Sequence, residues 1–257
     1  MRGYPRIVLK GFVFLMKRNS VSSWFLLLAF VQPLIFATIA FYMFRSGGRE
    51  GTLLYAALGA GMMGIWSSTL FGAGGLIQWW RWEGTLELAV AAPPPFVLVL
   101  LPAAFSAATI GTYSLWATLL WGRLAFAVPL HFEHPWLLAA AIPVTVLSLG
   151  LMGLLMASSF VLYRHANALM NLLEYPVWVA TGLIFPIALL PGWAQPISWP
   201  LAPRWGIEAI RHATFGGSVA FPLAMTAVLG VAYLALAAGF LRIFETKARR
   251  DATLSLT

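Results

Sequence analysis

The chain has 257 residues, of which 61% are hydrophobic and only 9% charged, with a formal net charge of +8. An average soluble domain is about half apolar and about a quarter charged, so this composition excludes a disordered, collagen-like or ordinary soluble chain and describes a polytopic membrane protein. The basic excess belongs at membrane edges, where it sets orientation, and the absence of cysteine rules out disulfides, zinc–thiolate sites and iron–sulfur clusters.

Residues 1–18 read as an interfacial amphipathic helix. At about 100° per residue, Tyr4, Val8, Phe12 and Leu15 share one face while Arg6, Lys10 and Lys17 share the other. The segment is a poor signal peptide, because its cations are dispersed and the apolar run behind it is long enough to span. Residues 19–257 read as a six-span transmembrane domain. A span needs about 20 mainly apolar residues, and the stretches that qualify are Val21–Phe44, Leu53–Ile77, Phe96–Trp121, Trp136–Tyr163, Leu169–Leu190 and Phe221–Phe244. Pro33, Pro102, Pro143 and Pro186 fall inside them, which membrane helices tolerate as kinks.

Cation counting orients the layout. With both termini inside, the inner side holds Arg2, Arg6, Lys10, Lys17, Arg18, Arg81, Arg164, Arg242, Lys247, Arg249 and Arg250. The outer side holds Arg45, Arg49, Arg123, Arg204 and Arg211. Eleven against five favours cytoplasmic termini in a cell inner or plasma membrane. Among the outer loops, Pro191–Gly217 is the longest and is rich in Pro and Trp, which suggests short helices dipping back into the outer leaflet.

Several motifs carry bland readings. Gly59, Gly61 and Gly64 match a dinucleotide fingerprint, but they lie inside a span and serve close helix packing. No lysine follows a glycine, so there is no phosphate-binding P-loop, and any ATP must be handled by another subunit. His131, Glu133 and His134 form a polar turn without companion metal ligands. Trp24, Trp66, Trp79, Trp80, Trp82, Trp116, Trp121, Trp136, Trp193, Trp199 and Trp205 sit near span ends, where an aromatic belt is expected. Glu174 reads as one half of an inner-end salt bridge with Arg164 or His165.

The inner loop between the second and third spans is the most informative segment. Glu83 and Glu87, four apart, would share one face of a short helix, with Leu86, Val90 and Trp82 on its membrane side and Pro93–Pro95 ending it. Such a helix suits docking of a soluble partner.

Glu83, Gly84, Thr85, Leu86 and Glu87, followed by Ala92-Pro93, resemble the corresponding loop of permease subunits of ABC-2-type ABC transporters. Gly182-Leu-Ile-Phe185-Pro186 and Leu190-Pro191-Gly-Trp193 resemble that family's fifth span and the start of its outer loop, and Pro203 with Glu208–Arg211 fits the region before its last span. The resemblance implies an all-α integral membrane fold of six helices with an N-terminal interfacial helix, a cytoplasmic coupling helix and outer re-entrant helices. It implies pairing with a second permease copy or a homologous permease, and two ABC ATPase subunits that bind ATP and Mg beneath. Glu83–Glu87 would be the ATPase-coupling element, and Phe185, Pro186, Pro191 and Trp193 the outer gate. The substrate path would run between the copies, lined by spans one, two and five, with Gln32, Thr38, Ser67, Ser68, Asn167, Asn171 and Thr181 as its polar residues. The expected activity is export of an apolar or amphipathic substrate: a drug, antibiotic, lipid or glycoconjugate. No catalytic, cofactor or metal residue is assigned to this chain. The alternatives are an integral-membrane lipid-modifying enzyme, for which Glu174, Arg164 and His165 offer thin support, and a secondary carrier, disfavoured by the scarcity of charge within the spans.

Overall fold

The computed structural model describes residues 4–45, 52–160 and 166–251. Arg2, Arg49, Arg164 and His165, used above for orientation or for a salt bridge, lie outside them. The described residues are helical and contain no strand. Helix α1 is Tyr4–Val21, α2 Ser23–Leu26, α3 Gln32–Arg45, α4 Thr52–Thr69, α5 Leu76–Trp82 and α6 Leu86–Ala91. Helix α7 is Phe96–Phe126, α8 Pro135–Phe160, α9 Ala166–Ala180, α10 Ala202–Phe215 and α11 Ala220–Asp251.

Four helices among the described residues are long and apolar enough to cross a membrane: Thr52–Trp82, Phe96–Phe126, Pro135–Phe160 and Ala220–Thr246. They correspond to the expected second, third, fourth and sixth spans. The other two differ from expectation for physical reasons. The first is helical from Ser23 to Arg45 but changes pitch, with a π-helical turn at Leu27–Val31 just before Pro33. Proline has no N–H to give the preceding turn, and a wider turn absorbs that mismatch. Its uninterrupted apolar helix is the shorter Ala29–Phe44.

The fifth helix does not run to Leu190. It stops at Ala180 because Gly182 adopts φ +75°, a left-handed conformation that glycine takes at no steric cost. The Gly182 N–H donates to Val179 O (3.3 Å) and the Leu183 N–H to Trp178 O (3.2 Å), the paired bonds of a Schellman turn. The described part of α9 is the 15 residues Ala166–Ala180. Pro186 therefore lies beyond the helix, in a stretch that holds only 3-10 turns at Ile187–Leu189 and Gln195–Ser198.

The Thr52–Trp82 helix is the axis of the fold. Helices α3, α7, α8, α9 and α10 all pack on α4, and every residue from Ala56 to Leu70 is buried. Its glycines make this possible. A Cβ on Gly61 would stand 2.7 Å from Leu115 Cα, and one on Gly64 would collide with Ser114 of α7. Small residues let backbones approach where lipid supplies no hydrophobic drive between helices. Trp66, expected in the aromatic belt, is instead buried at the centre of this packing.

Helix α1 lies against α7. Val8, Phe12 and Leu15 are partly covered while Arg6, Lys10 and Lys17 are exposed, as the amphipathic pattern expects, but Tyr4 of the same face is exposed too. A Cβ on Gly11 would meet Pro102 of α7 at 3.0 Å, and Asn19 Nδ2 reaches Ser106 Oγ at 3.5 Å.

Candidate binding groove and the loop after α5

A cavity of about 850 Å³ opens between three helical segments. Leu27, Val31, Gln32, Ile35 and Phe36 form one wall, and Phe71, Gly75, Trp79 and Trp82 a second. Asn167, Met170, Asn171, Glu174 and Tyr175 of α9 form the third. On α9 these fall at spacings of three and four, which is one helical stripe. The walls are the first, second and fifth segments, the three expected to line a path.

Glu174 is the centre of the polar chemistry. It is 3% exposed. Gln32 Nε2 donates to its Oε1 at 2.9 Å, and Ser67 Oγ donates to the same oxygen at 2.6 Å. Side chains of two segments, 142 and 107 positions before Glu174, thus meet on one of its carboxyl oxygens. The cations expected to pair with Glu174, Arg164 and His165, lie outside the described residues, and no described cation pairs with it. The carboxyl group is instead held by neutral donors, and Gln32 Oε1 is buried with no hydrogen-bond partner. A buried ionisable group held only by neutral donors is costly to bury, which makes Glu174 a candidate functional residue.

The seven expected path residues divide. Gln32, Asn167 and Asn171 line the groove, and Ser67 lies behind it on Glu174. Asn171 Nδ2 donates to Asn167 O at 3.0 Å. Ser68 is fully buried, with its hydroxyl unpaired. Thr38 accepts from Trp121 Nε1 at 2.9 Å, away from the groove. Thr181 donates to Val177 O at 2.6 Å and lines a different, 480 Å³ cavity.

That second cavity is built around Arg211. The side chain is 8% exposed. Its Nη1 donates to Gly182 O (2.6 Å), and its Nη2 to Leu183 O (3.0 Å) and Tyr55 O (3.5 Å). The guanidinium carbon stands 3.4 Å from the centroid of the Tyr55 ring, a cation–π contact. Burial pulls the Arg211 guanidinium down to about 10, which still leaves it charged at neutral pH. Arg204, one stripe along α10, stacks on Trp205 at 4.3 Å and donates to Ser198 Oγ at 2.6 Å. Burial lowers its affinity for the proton, while Glu208, at 4.0 Å, acts in the opposite direction. Sequence reading passed over Arg211 as an anchor, although Arg204, Glu208 and Arg211 recur at helical spacing within an apolar segment.

The four expected gate residues do not converge on the groove. Pro186 lines the Arg211 cavity, Phe185 is partly buried beside Gly182, and Pro191 O accepts from the Ala194 N–H at 2.8 Å. Trp193 is largely exposed.

The loop after α5 differs in one respect from the expected single helix. Glu83 closes α5, Gly84 turns at φ +67°, Thr85 precedes α6, and only then does Leu86 begin the next helix. Glu83 and Glu87 are both exposed but sit on separate elements. Leu86 and Val90 are 6% and 3% exposed, and they join the core cluster that includes Phe96 and Leu100 of α7. Trp82 does not join them. It belongs to α5 and is 59% exposed, stacking edge-on with Trp79 at 5.4 Å between ring centroids.

No family model matches the chain, and no curated protein matches it significantly in sequence.

Proposed function

We propose that this chain is the membrane-spanning permease subunit of an ATP-driven ABC exporter of the ABC-2 type, moving an amphipathic substrate out of the cytoplasm or inner leaflet. The observation that carries the reading is α6. It is a short helix between two long apolar helices, with Leu86 and Val90 seated in the core and Glu87 and Leu88 turned outward. A rigidly seated helix with a free polar face is what a soluble motor needs to push on. Six passes follow if the Ser23–Arg45 segment and α9 also traverse the membrane, with α10 filling the space beyond the short end of α9. ATP binding in partner ATPases would shift a permease dimer between conformations by differential affinity.

The reading is tested by co-expressing the chain with candidate ABC ATPases, co-purifying the complex and measuring substrate-stimulated ATP hydrolysis. The chain alone is expected neither to bind nor to hydrolyse ATP, since it lacks a P-loop. Micromolar ATP binding by the isolated chain would overturn the assignment. One observation favours a second reading. The buried Glu174 is the kind of intramembrane carboxyl that coupled secondary carriers use, and transport driven by an ion gradient without any ATPase would select that reading instead.

A further inference from the structure

We propose that the groove between α3, α5 and α9 binds an amphipathic primary amine in its protonated form, with Glu174 as the counter-charge. The proposal rests on the permease reading only for the claim that the bound amine is cargo; the binding itself does not depend on it. A cavity of 850 Å³ lies in the range that encloses drug-sized ligands, about 300–1,000 Å³. Among the described residues no lysine, arginine or histidine lines it, and its one acidic lining residue is Glu174. An anion placed there meets an uncompensated carboxylate in a low-dielectric wall, whereas a cation supplies the missing charge.

Two further observations select the shape of that cation. Gln32 spends its amide N–H on Glu174, which leaves its buried Oε1 without a donor. A ligand carrying N–H groups satisfies that oxygen, and a quaternary cation does not. The mouth of the groove is framed by Trp79, Trp82 and Tyr175, all substantially exposed. Aromatic faces in such positions hold both an apolar ring system and a positive charge. The amine end therefore reaches inward to Gln32 and Glu174 while the apolar body lies against Trp79 and Trp82.

The test uses the full chain in nanodiscs of zwitterionic lipid, with empty nanodiscs as background. Dansylcadaverine, a fluorescent primary ammonium, is compared with its N-acetyl derivative, which has nearly the same shape and no charge. The wild type is expected to bind the ammonium saturably and at least about tenfold more tightly than the acetyl compound. Glu174→Gln is expected to remove that preference. Trp79→Lys, a change at a half-exposed wall position that does not touch the Gln32–Ser67–Glu174 contacts, is expected to weaken ammonium binding about tenfold by placing a like charge in the groove. Equal affinity of the wild type for both probes, no saturable binding, or an unchanged preference in Glu174→Gln overturns the proposal. A chain that binds the ammonium but assembles with no ATPase keeps the site and loses the permease reading. An assembled complex whose chain ignores the ammonium does the reverse.

Discussion

Arg211 Nη1 donates to the carbonyl oxygen of Gly182 at 2.6 Å, joining the middle of α10 to the turn that ends α9. The same guanidinium takes Leu183 O, so the carbonyls of Gly182 and Leu183, just past the end of α9, are both satisfied by one side chain. Gly59 of α4 admits the arrangement, since a Cβ there would collide with the Leu183 carbonyl. The early end of α9 is therefore anchored from two sides.

Arg211→Ala is expected to leave those carbonyls buried and unpaired, at a cost of about 2–4 kcal/mol. Arg211→Lys keeps the charge but cannot fork to two carbonyls, and should fall between alanine and wild type. Unfolding in a mild detergent measures both. A loss within about 0.5 kcal/mol for Arg211→Ala, the size of an ordinary surface change, would show that the anchor is dispensable.

Helix packing on α4 is expected to be intolerant at Gly61. A Cβ there stands 2.7 Å from Leu115 Cα, which is backbone and cannot swing aside. Gly61→Val should destabilise the chain by about 1–3 kcal/mol through overpacking. Gly239 has open space around it, so Gly239→Val in the same assay is the control and should change stability little.

Exposed carboxylates flank Gly84 on the loop that carries α6. The paired reversal Glu83→Lys with Glu87→Lys should leave insertion intact, because neither side chain is buried. Like-charge juxtaposition at an interface costs several kcal/mol, and about 1.4 kcal/mol is already tenfold in affinity. On the permease reading proposed above, retention of a partner ATPase on an affinity column should therefore drop at least about tenfold. Glu133→Lys, at the opposite end of the α7–α8 hairpin, should not alter retention. If the double variant holds its ATPase as well as wild type, Glu83 and Glu87 have no part in docking.

The chain contains no cysteine, so single introduced thiols report topology without background. Glu87→Cys should react with an impermeant maleimide only in inside-out vesicles, and Glu133→Cys only in intact cells. Labelling of both from the same side would break the cation-based orientation.

How much of this was legible beforehand follows from the range of each signal. Apolar runs are local, so the helices over Thr52–Trp82, Phe96–Phe126, Pro135–Phe160 and Ala220–Thr246 stand out from hydropathy alone, and the two faces of α1 follow from its periodicity. The seating of Leu86 and Val90 was equally visible, because their spacing of four is a property of one short segment. The end of α9 was not. Leu183, Ile184 and the residues after them are as apolar as a span requires, and hydropathy cannot tell a buried turn from a helix. The turn exists because Gly182 can adopt positive φ and because Arg211, 29 residues later, pays for its carbonyls.

The same distinction governs the groove. Amino-acid type alone marked Gln32, Ser67, Asn167 and Asn171 as polar residues in apolar surroundings, and it marked Thr38, Ser68 and Thr181 just as strongly. Only the packing of three helices separates the two sets: Thr38, Ser68 and Thr181 bond locally or pack inside, while Gln32 and Ser67 meet on Glu174. For Glu174 the sequence offers only the nearest cations, Arg164 and His165, which lie outside the described residues. Its neutral partners lie 142 and 107 positions away, and a relationship of that range is decided by which helix faces the glycines of α4 allow to touch.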